Sequence, residues 1–296
     1  MTSTDLSQRE TWRCGVVGSP IAHSLSPAIH RAAYRYLGLS WTYAAVQVDE
    51  QQFPSYLSGL DASWRGLSVT MPLKRVALAR AAQSSDLAST VGAANTLVRR
   101  ADGSWFADNT DVPGAVAALT ERGIDRPRSV SIWGGGATAA SMLAAMAFLD
   151  AQQTTVHARS ETRARPALAV AAALAHPADY AAWEYHAIDP SSDLVVCTAP
   201  AGAIDSMVEA IVGRSTAGRT LFDVVYDPWP TALAAAWAAR GGKVVSGLDL
   251  LVHQARGQVI VMTGYDVPVD VLRDAATQVL AERRSGTTTA DAGTAS

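Results

Sequence analysis

Short apolar runs alternate with longer stretches of mixed apolar and polar positions along most of the chain. The runs at 14–17, 42–48 and 67–70 predict strands, and the stretches 27–37, 51–60 and 73–82 predict helices. A second series opens at 129. It predicts a strand at 129–133, a glycine turn and a helix at 139–149, then strands at 154–158, 194–198, 221–225 and 243–245, with helical stretches between them. Strands alternating with helices predict an α/β fold with parallel sheets covered on both faces. The expected layout is two α/β domains, 11–111 and 112–246, with the junction near 111–123. Helical stretches at 248–258 and 269–284, within a segment 247–284, are left over once the second sheet is complete, and are expected to return to cover the first domain. The ends, 1–10 and 285–296, are polar or poor in bulky apolar residues and are expected to be disordered tails.

Composition narrows the function classes. A formal net charge of −3 gives no broad electrostatic reason to bind nucleic acid or an anionic membrane. The apolar fraction of 49% is inflated by alanine and contains no run able to span a bilayer. Asp5, Arg9, Glu10 and Arg13 interrupt the first twenty residues, which therefore do not read as a secretory signal. Cys14 and Cys197 each lie in an apolar strand-like run and are expected as buried free thiols, in keeping with a cytoplasmic location. Six histidines and two cysteines show no metal-ligand spacing, so no metal is expected. The eight scattered tryptophans read as packing residues, not as a base-stacking surface.

Lysine and asparagine are the informative rarities. Of 24 basic residues only Lys74 and Lys243 are lysine, and asparagine occurs only as Asn95 and Asn109. Arginine keeps its proton at any accessible pH, whereas lysine can release one, so a proton-transfer site calls for lysine. Lys74 closes Ser68-Val69-Thr70-Met71-Pro72-Leu73-Lys74, where a strand-like run meets a proline. Strand ends are where α/β proteins display chemistry. Asn109 reads as a turn or capping residue, and His23 and His253 as structural.

The segment Ser129-Val-Ser-Ile-Trp133-Gly134-Gly135-Gly136-Ala137-Thr138-Ala139 has the order that a dinucleotide needs: strand, glycine turn, helix start. Gly134 would permit the tight turn, Gly136 would let the backbone approach a pyrophosphate, and Ala139 would keep helix and strand close. Such a string also fits an ordinary glycine loop. The next strand sharpens the reading. Sites for NAD usually end it in Asp or Glu, whereas here His157-Ala158-Arg159-Ser160-Glu161-Thr162-Arg163 offers Arg159, Arg163 and the Ser160 hydroxyl to a 2′-phosphate. A solvated helix start would look similar; the balance favours NADP.

Gly18-Ser19-Pro20-Ile21-Ala22-His23-Ser24-Leu25-Ser26-Pro27 places two hydroxyls beside a helix N-terminus, which suits a carboxylate, although a plain serine N-cap explains it equally well. This loop, Val69-Thr70-Met71-Pro72-Leu73-Lys74, Gly92-Ala-Ala-Asn95-Thr-Leu and Asp108-Asn-Thr-Asp111 follow the order that resembles the shikimate dehydrogenase family. The glycine loop, Asp223-Val-Val-Tyr226-Asp-Pro-Trp-Pro-Thr and Gly247-Leu-Asp-Leu-Leu-Val-His-Gln254-Ala continue it, so the resemblance runs over about 15–264.

The resemblance implies a substrate-binding catalytic domain over 11–111, a Rossmann-like doubly wound NADP domain over 112–246, and a monomer or homodimer. It implies NADPH-dependent, reversible reduction of 3-dehydroshikimate to shikimate, on the route to chorismate and the aromatic amino acids. Lys74 and Asp111 would be the catalytic pair. Ser24 and Ser26 would hold the substrate carboxylate with Tyr226 nearby, while Asn95, Asp111 and Gln254 would hydrogen-bond the ring hydroxyls, with Thr70 lining the same pocket. Thr198 and Gly247 join Gly134–Ala139, Arg159, Ser160 and Arg163 on the cofactor side. Three motifs depart from the family: Gly136-Ala137 replaces a glycine pair, Ala158-Arg159-Ser160 replaces Asn-Arg-Thr, and Cys197-Thr198-Ala199-Pro200 replaces Asn-Ala-Thr-Ser. Alternative readings are a relative acting on quinate or using NAD, and a non-catalytic sensor. The presence of Lys74 and Asp111 argues against the sensor.

Overall fold

The computed structural model describes residues 11–184 and 192–286. Of the expected tails, 1–10 and 287–296 lie outside the described residues, whereas Ser285 and Gly286, expected in the second tail, form the turn that closes the last helix.

The first half runs β1 (Arg13–Gly18), α1 (Ser26–Tyr36), β2 (Thr42–Gln47), α2 (Phe53–Gly59), β3 (Trp64–Val69) and α3 (Lys74–Arg80). It continues through β4 (Gln83–Ser84), α4 (Asp86–Val91), β5 (Thr96–Arg99), β6 (Trp105–Asp108) and α5 (Asp111–Glu121). The strands form one sheet in the order β2-β1-β3-β5-β6-β4. Adjacent side chains on a strand face opposite ways, and β1 uses this. Val16 joins a core with α1, while Val17 joins another with Phe53 and Leu57 of α2 and Ala77 of α3. The expected parallel pairing is present between β1 and its neighbours, but this sheet is mixed. β5 runs antiparallel to both β3 and β6. The stretch between 83 and 108 carried no strand prediction because its strands are two to four residues long, too short for a period to register.

The second half runs β7 (Ser129–Trp133), α6 (Ala137–Phe148), β8 (Gln153–Ala158), α7 (Glu161–Ala173), β9 (Ala178–Ala182), β10 (Leu194–Cys197), α8 (Val208–Val212), β11 (Thr220–Asp223), α9 (Ala232–Ala239) and β12 (Lys243–Ser246). Its six strands are parallel throughout, in the order β12-β11-β10-β7-β8-β9. Counted from β7, that is the doubly wound order whose crevice opens where the winding reverses, between β7 and β10. α6 and α7 cover one face, and α8 and α9 the other.

The last two helices, α10 (Gly247–Thr263) and α11 (Val269–Arg284), leave this sheet and pack against α5 and α1 of the first half. α10 is longer than the 248–258 expected. It starts on a capping box of Ser246 with Asp249, and Gly257 continues the helix instead of breaking it. Small residues seat α10: an added Cβ at Gly114 would collide with the Gln254 backbone, one at Gly257 would press on Thr110 at 3.1 Å, and one at Gly66 would displace the Met262 side chain. Cys14 and Cys197 are free and buried, and burial pushes their thiols up to about 11 and about 12. Among the described residues no helix is long and apolar enough to cross a membrane.

Candidate active site

Three strand ends and one returning helix meet around a cavity of about 240 Å³. β1 and β3 are held in line at their carboxyl ends, where Thr70 N donates to Val17 O at 3.0 Å and Ser19 N donates to Met71 O at 2.9 Å. Asn95 is tied to the same edge because Val69 N donates to its carbonyl at 2.7 Å. α3 begins at Lys74 and α5 at Asp111, so both side chains project from first turns beside that edge. A carboxylate in a first helical turn is favoured by the helix dipole. Asn109 reinforces that turn by accepting from the backbone N–H groups of Asp111 and Val112.

Lys74 Nζ donates to Asp111 Oδ2 at 2.6 Å, with side chains only 14% and 7% exposed. The other carboxylate oxygen, Oδ1, accepts from Asn95 Nδ2 at 2.8 Å. The same amide nitrogen lies 3.1 Å from Gln254 Oε1, brought in by α10. Asn95 Oδ1 in turn accepts from Thr110 N and Thr96 Oγ1, both at 2.8 Å. These four side chains form one buried polar network that orients the ammonium toward the cavity.

Ser24, Ser26 and Thr70 line the same cavity. α1 takes no side-chain cap: Leu25 occupies the N-cap position, Ser24 Oγ accepts from Ser26 N at 3.2 Å, and Pro27 follows in the first turn. The helix therefore does not consume the Ser26 hydroxyl. Tyr226, reached from β11, lines the wall together with Val224, and burial raises its phenol above the ordinary range, against a lowering by Arg283. Ser24, Ser26, Thr70, Lys74, Asn95, Asp111, Tyr226 and Gln254 thus share one cavity. Gly247, read from sequence as a cofactor residue, lines it too. A Cβ there would come 2.1 Å from Val224 O, so the start of α10 presses on the end of β11.

Sequence reading missed Ser68 and Gln258, both buried and both lining the cavity. Tyr43 Oη donates to Ser68 Oγ at 2.5 Å, Ser68 Oγ donates to Gln258 Oε1 at 2.7 Å, and Gln258 Nε2 donates to Asn95 O at 2.9 Å. His23 lines the cavity as an exposed loop residue, whereas His253 turns to Glu121, 3.0 Å away.

The remaining expected residues lie along the carboxyl edge of the second sheet, at the crevice between β7 and β10 and at the neighbouring end of β8. Thr198 N and Oγ1 both donate to Trp133 O, at 2.8 and 3.0 Å, closing the crevice floor. Gly134 has φ +139°, and a side chain there would strike Thr198 Oγ1. A Cβ on Gly135 would lie 2.6 Å from the Arg163 carbonyl, which brings the first turn of α7 against the glycine loop. Gly136 has open space and N-caps α6 without a side-chain cap, leaving the N–H groups of Ala137, Thr138 and Ala139 without an intrahelical acceptor. Buried Ala139 keeps α6 close to the sheet. These residues fit a dinucleotide pyrophosphate: a cradle that excludes side chains, with open N–H donors at its rim. At the end of β8, Arg159 and Arg163 are exposed, and Ser160 N-caps α7 by accepting from Arg163 N at 3.4 Å, its own O–H remaining free to donate.

A doubly wound parallel sheet facing a second α/β lobe, with a buried lysine–carboxylate pair in the cavity between them, defines a two-domain α/β protein of the dehydrogenase class. The sequence profile of the shikimate dehydrogenase substrate binding domain matches residues 16–97. The NADP(+) shikimate dehydrogenase of Thermosynechococcus vestitus is 32% identical, covering 90% of this chain and 95% of that protein. Among solved structures, a shikimate 5-dehydrogenase from Mycobacterium fortuitum is 40% identical with a TM-score of 0.78, covering 90% and 98% of the two chains. The Thermus thermophilus shikimate 5-dehydrogenase, solved in complex with NADP(H) and shikimate, is 28% identical with a TM-score of 0.78, covering 90% and 99%. The chain belongs to the shikimate dehydrogenase family.

Proposed function

We propose that this protein catalyses the reversible, NADP(H)-dependent interconversion of 3-dehydroshikimate and shikimate, with Lys74 and Asp111 as its acid–base pair. The observation that carries the reading is the buried 2.6 Å contact of Lys74 Nζ with Asp111 Oδ2, set between carboxylate-sized hydroxyl donors and a nucleotide crevice.

NADPH, when bound across the glycine loop, supplies the hydride for the ketone carbon. Lys74 supplies the proton: as the carbonyl oxygen gains charge, the ammonium hydrogen-bonds it and transfers a proton, leaving a neutral amine. Asp111 holds the ammonium on that oxygen and offsets its desolvation, and in the reverse direction the amine accepts the hydroxyl proton. Asn95 and Gln254 flank Asp111 and are placed to read ring hydroxyls. Ser24, Ser26 and Tyr226 bind the carboxylate at the far end and set which ring carbon faces the lysine. Arg159 and Arg163 fit the 2′-phosphate that distinguishes NADP from NAD.

The testing experiment measures reduction of NADP and of NAD in parallel, each with shikimate and with quinate. Robust turnover only with shikimate and NADP supports the reading. Turnover of quinate at comparable kcat/KM, or preference for NAD, would move the protein to a broader specificity. No turnover with any pair would remove the catalytic reading.

A further inference from the structure

The expected phosphate-binding arginine does not stand alone on the surface. Trp133, the last residue of β7 before the glycine loop, stacks on His157 of β8 with centroids 4.2 Å apart and planes within 3°. Trp183, just past β9, meets Trp133 edge-on at 5.4 Å and 86°. Its backbone N–H donates to Ala158 O at 3.1 Å, which locks it next to the end of β8. Arg159, the following residue, lays its guanidinium carbon 5.8 Å from the centre of the Trp183 ring. An aromatic ladder therefore runs from the sheet interior to Arg159 at the end of β8.

We infer that Trp183 is a positioning residue that sets cofactor choice, by holding the Arg159 guanidinium over its ring so that the in-plane N–H groups face a 2′-phosphate. The inference rests on the NADP reading above. A free arginine side chain loses rotamer entropy when it binds phosphate, whereas one already lying on an aromatic face has lost part of it beforehand. Stacking engages the face of the guanidinium and leaves its N–H fork available. The ring belongs to this lobe, just past the edge strand and outside the cavity that holds Lys74, so its loss should alter cofactor choice and not proton transfer.

The test measures binding of adenosine 2′,5′-bisphosphate and of 5′-AMP by calorimetry, with no turnover involved. The parent, Arg159→Ala, Trp183→Phe and Trp183→Leu are compared. Trp183→Phe retains a ring and should bind the bisphosphate within about twofold of the parent. Trp183→Leu should bind it about three- to fivefold more weakly, the scale of an exposed cation–π contact, with 5′-AMP unchanged. Adding Trp183→Leu to Arg159→Ala should cost nothing further. Parental affinity in Trp183→Leu, or equal weakening of both ligands, overturns the inference while leaving NADP use intact. A parent that binds both ligands alike overturns the NADP reading and this inference with it. A measurement on the unsubstituted protein needs no folded variant of Trp183: the Arg159 Nε–H proton, assigned by its loss in Arg159→Lys, should resonate upfield of free arginine from the ring current. A resonance at the free position overturns the platform.

Discussion

Gly114 on α5 and Gln254 on α10 approach so closely that a Cβ on the glycine would fall 2.8 Å from the glutamine's backbone nitrogen. The absence of a side chain at 114 is what lets α10 lie low enough for Gln254 to reach Asn95 beside the Lys74–Asp111 pair. Gly114→Ala should therefore act twice. Overpacking should lower stability by about 1–3 kcal/mol, read from the urea midpoint. The shifted helix should also raise KM for shikimate. A variant with parental KM and midpoint would show that α10 absorbs the methyl group without moving the site.

Lys74→Ala should lower kcat by at least ~10²-fold, the scale of losing a general acid–base, while shikimate still binds by calorimetry. Lys74→Arg preserves charge beside Asp111 yet should be nearly as inactive, because guanidinium does not release its proton. An arginine variant with substantial turnover would take Lys74 out of the proton path.

Much of this site is legible in the chain because each motif joins a spacing to a chemistry. Lys74 and Asp111 each open a helix after a short strand or turn, and the rarity of lysine and asparagine marks Lys74 and Asn95 at once. Other parts are set by contacts that no local pattern carries. Gln254 meets Asn95 from 159 residues away. Ser68 and Gln258 look like an ordinary strand serine and an ordinary helix glutamine until α10 crosses the first sheet and joins them at 2.7 Å. Trp183 follows an alanine-rich edge strand, Ala178–Ala182, with few of the branched residues that announce a strand, so neither the strand nor its tryptophan stands out. The antiparallel β5 escapes for a similar reason: direction is decided by which neighbours it pairs with, not by its four residues.

The serine loop offers a binding test. Ser24 and Ser26 lie far from the reacting carbon in the proposed pose, so they hold ground state and transition state alike. Replacing both with alanine should raise KM for shikimate far more than it lowers kcat. Leu25 occupies the N-cap position and the one side-chain bond lost at the start of α1 is Ser24 Oγ accepting from Ser26 N at 3.2 Å, so the stability cost should stay within about 1 kcal/mol. A large fall in Tm with unchanged KM would assign these serines to the fold instead.

His30 supplies the pH prediction. The ring is fully buried on α1, stacked on Tyr43 at 4.1 Å, with Tyr34 at 6.3 Å and Nδ1 2.9 Å from Ser26 O. Burial pushes its pKa down to about 4, against a smaller upward pull from the Ser26 carbonyl. The two tyrosines stay neutral, since burial raises both well above 10. An unfolded histidine titrates near ~6.5, so between about pH 6.5 and 4 the unfolded chain binds a proton that the folded one refuses. The associated stability is complete above the unfolded pKa and is lost as pH falls toward the folded one. At pH 5 the loss should be on the order of 1–2 kcal/mol. His30→Phe keeps a ring on Tyr43 and removes the titration. Urea midpoints measured from pH 7.5 to 5 should therefore fall more steeply for the parent than for the variant, while carboxylates common to both cancel. Parallel curves would mean that His30 is protonated within the fold or reached by water.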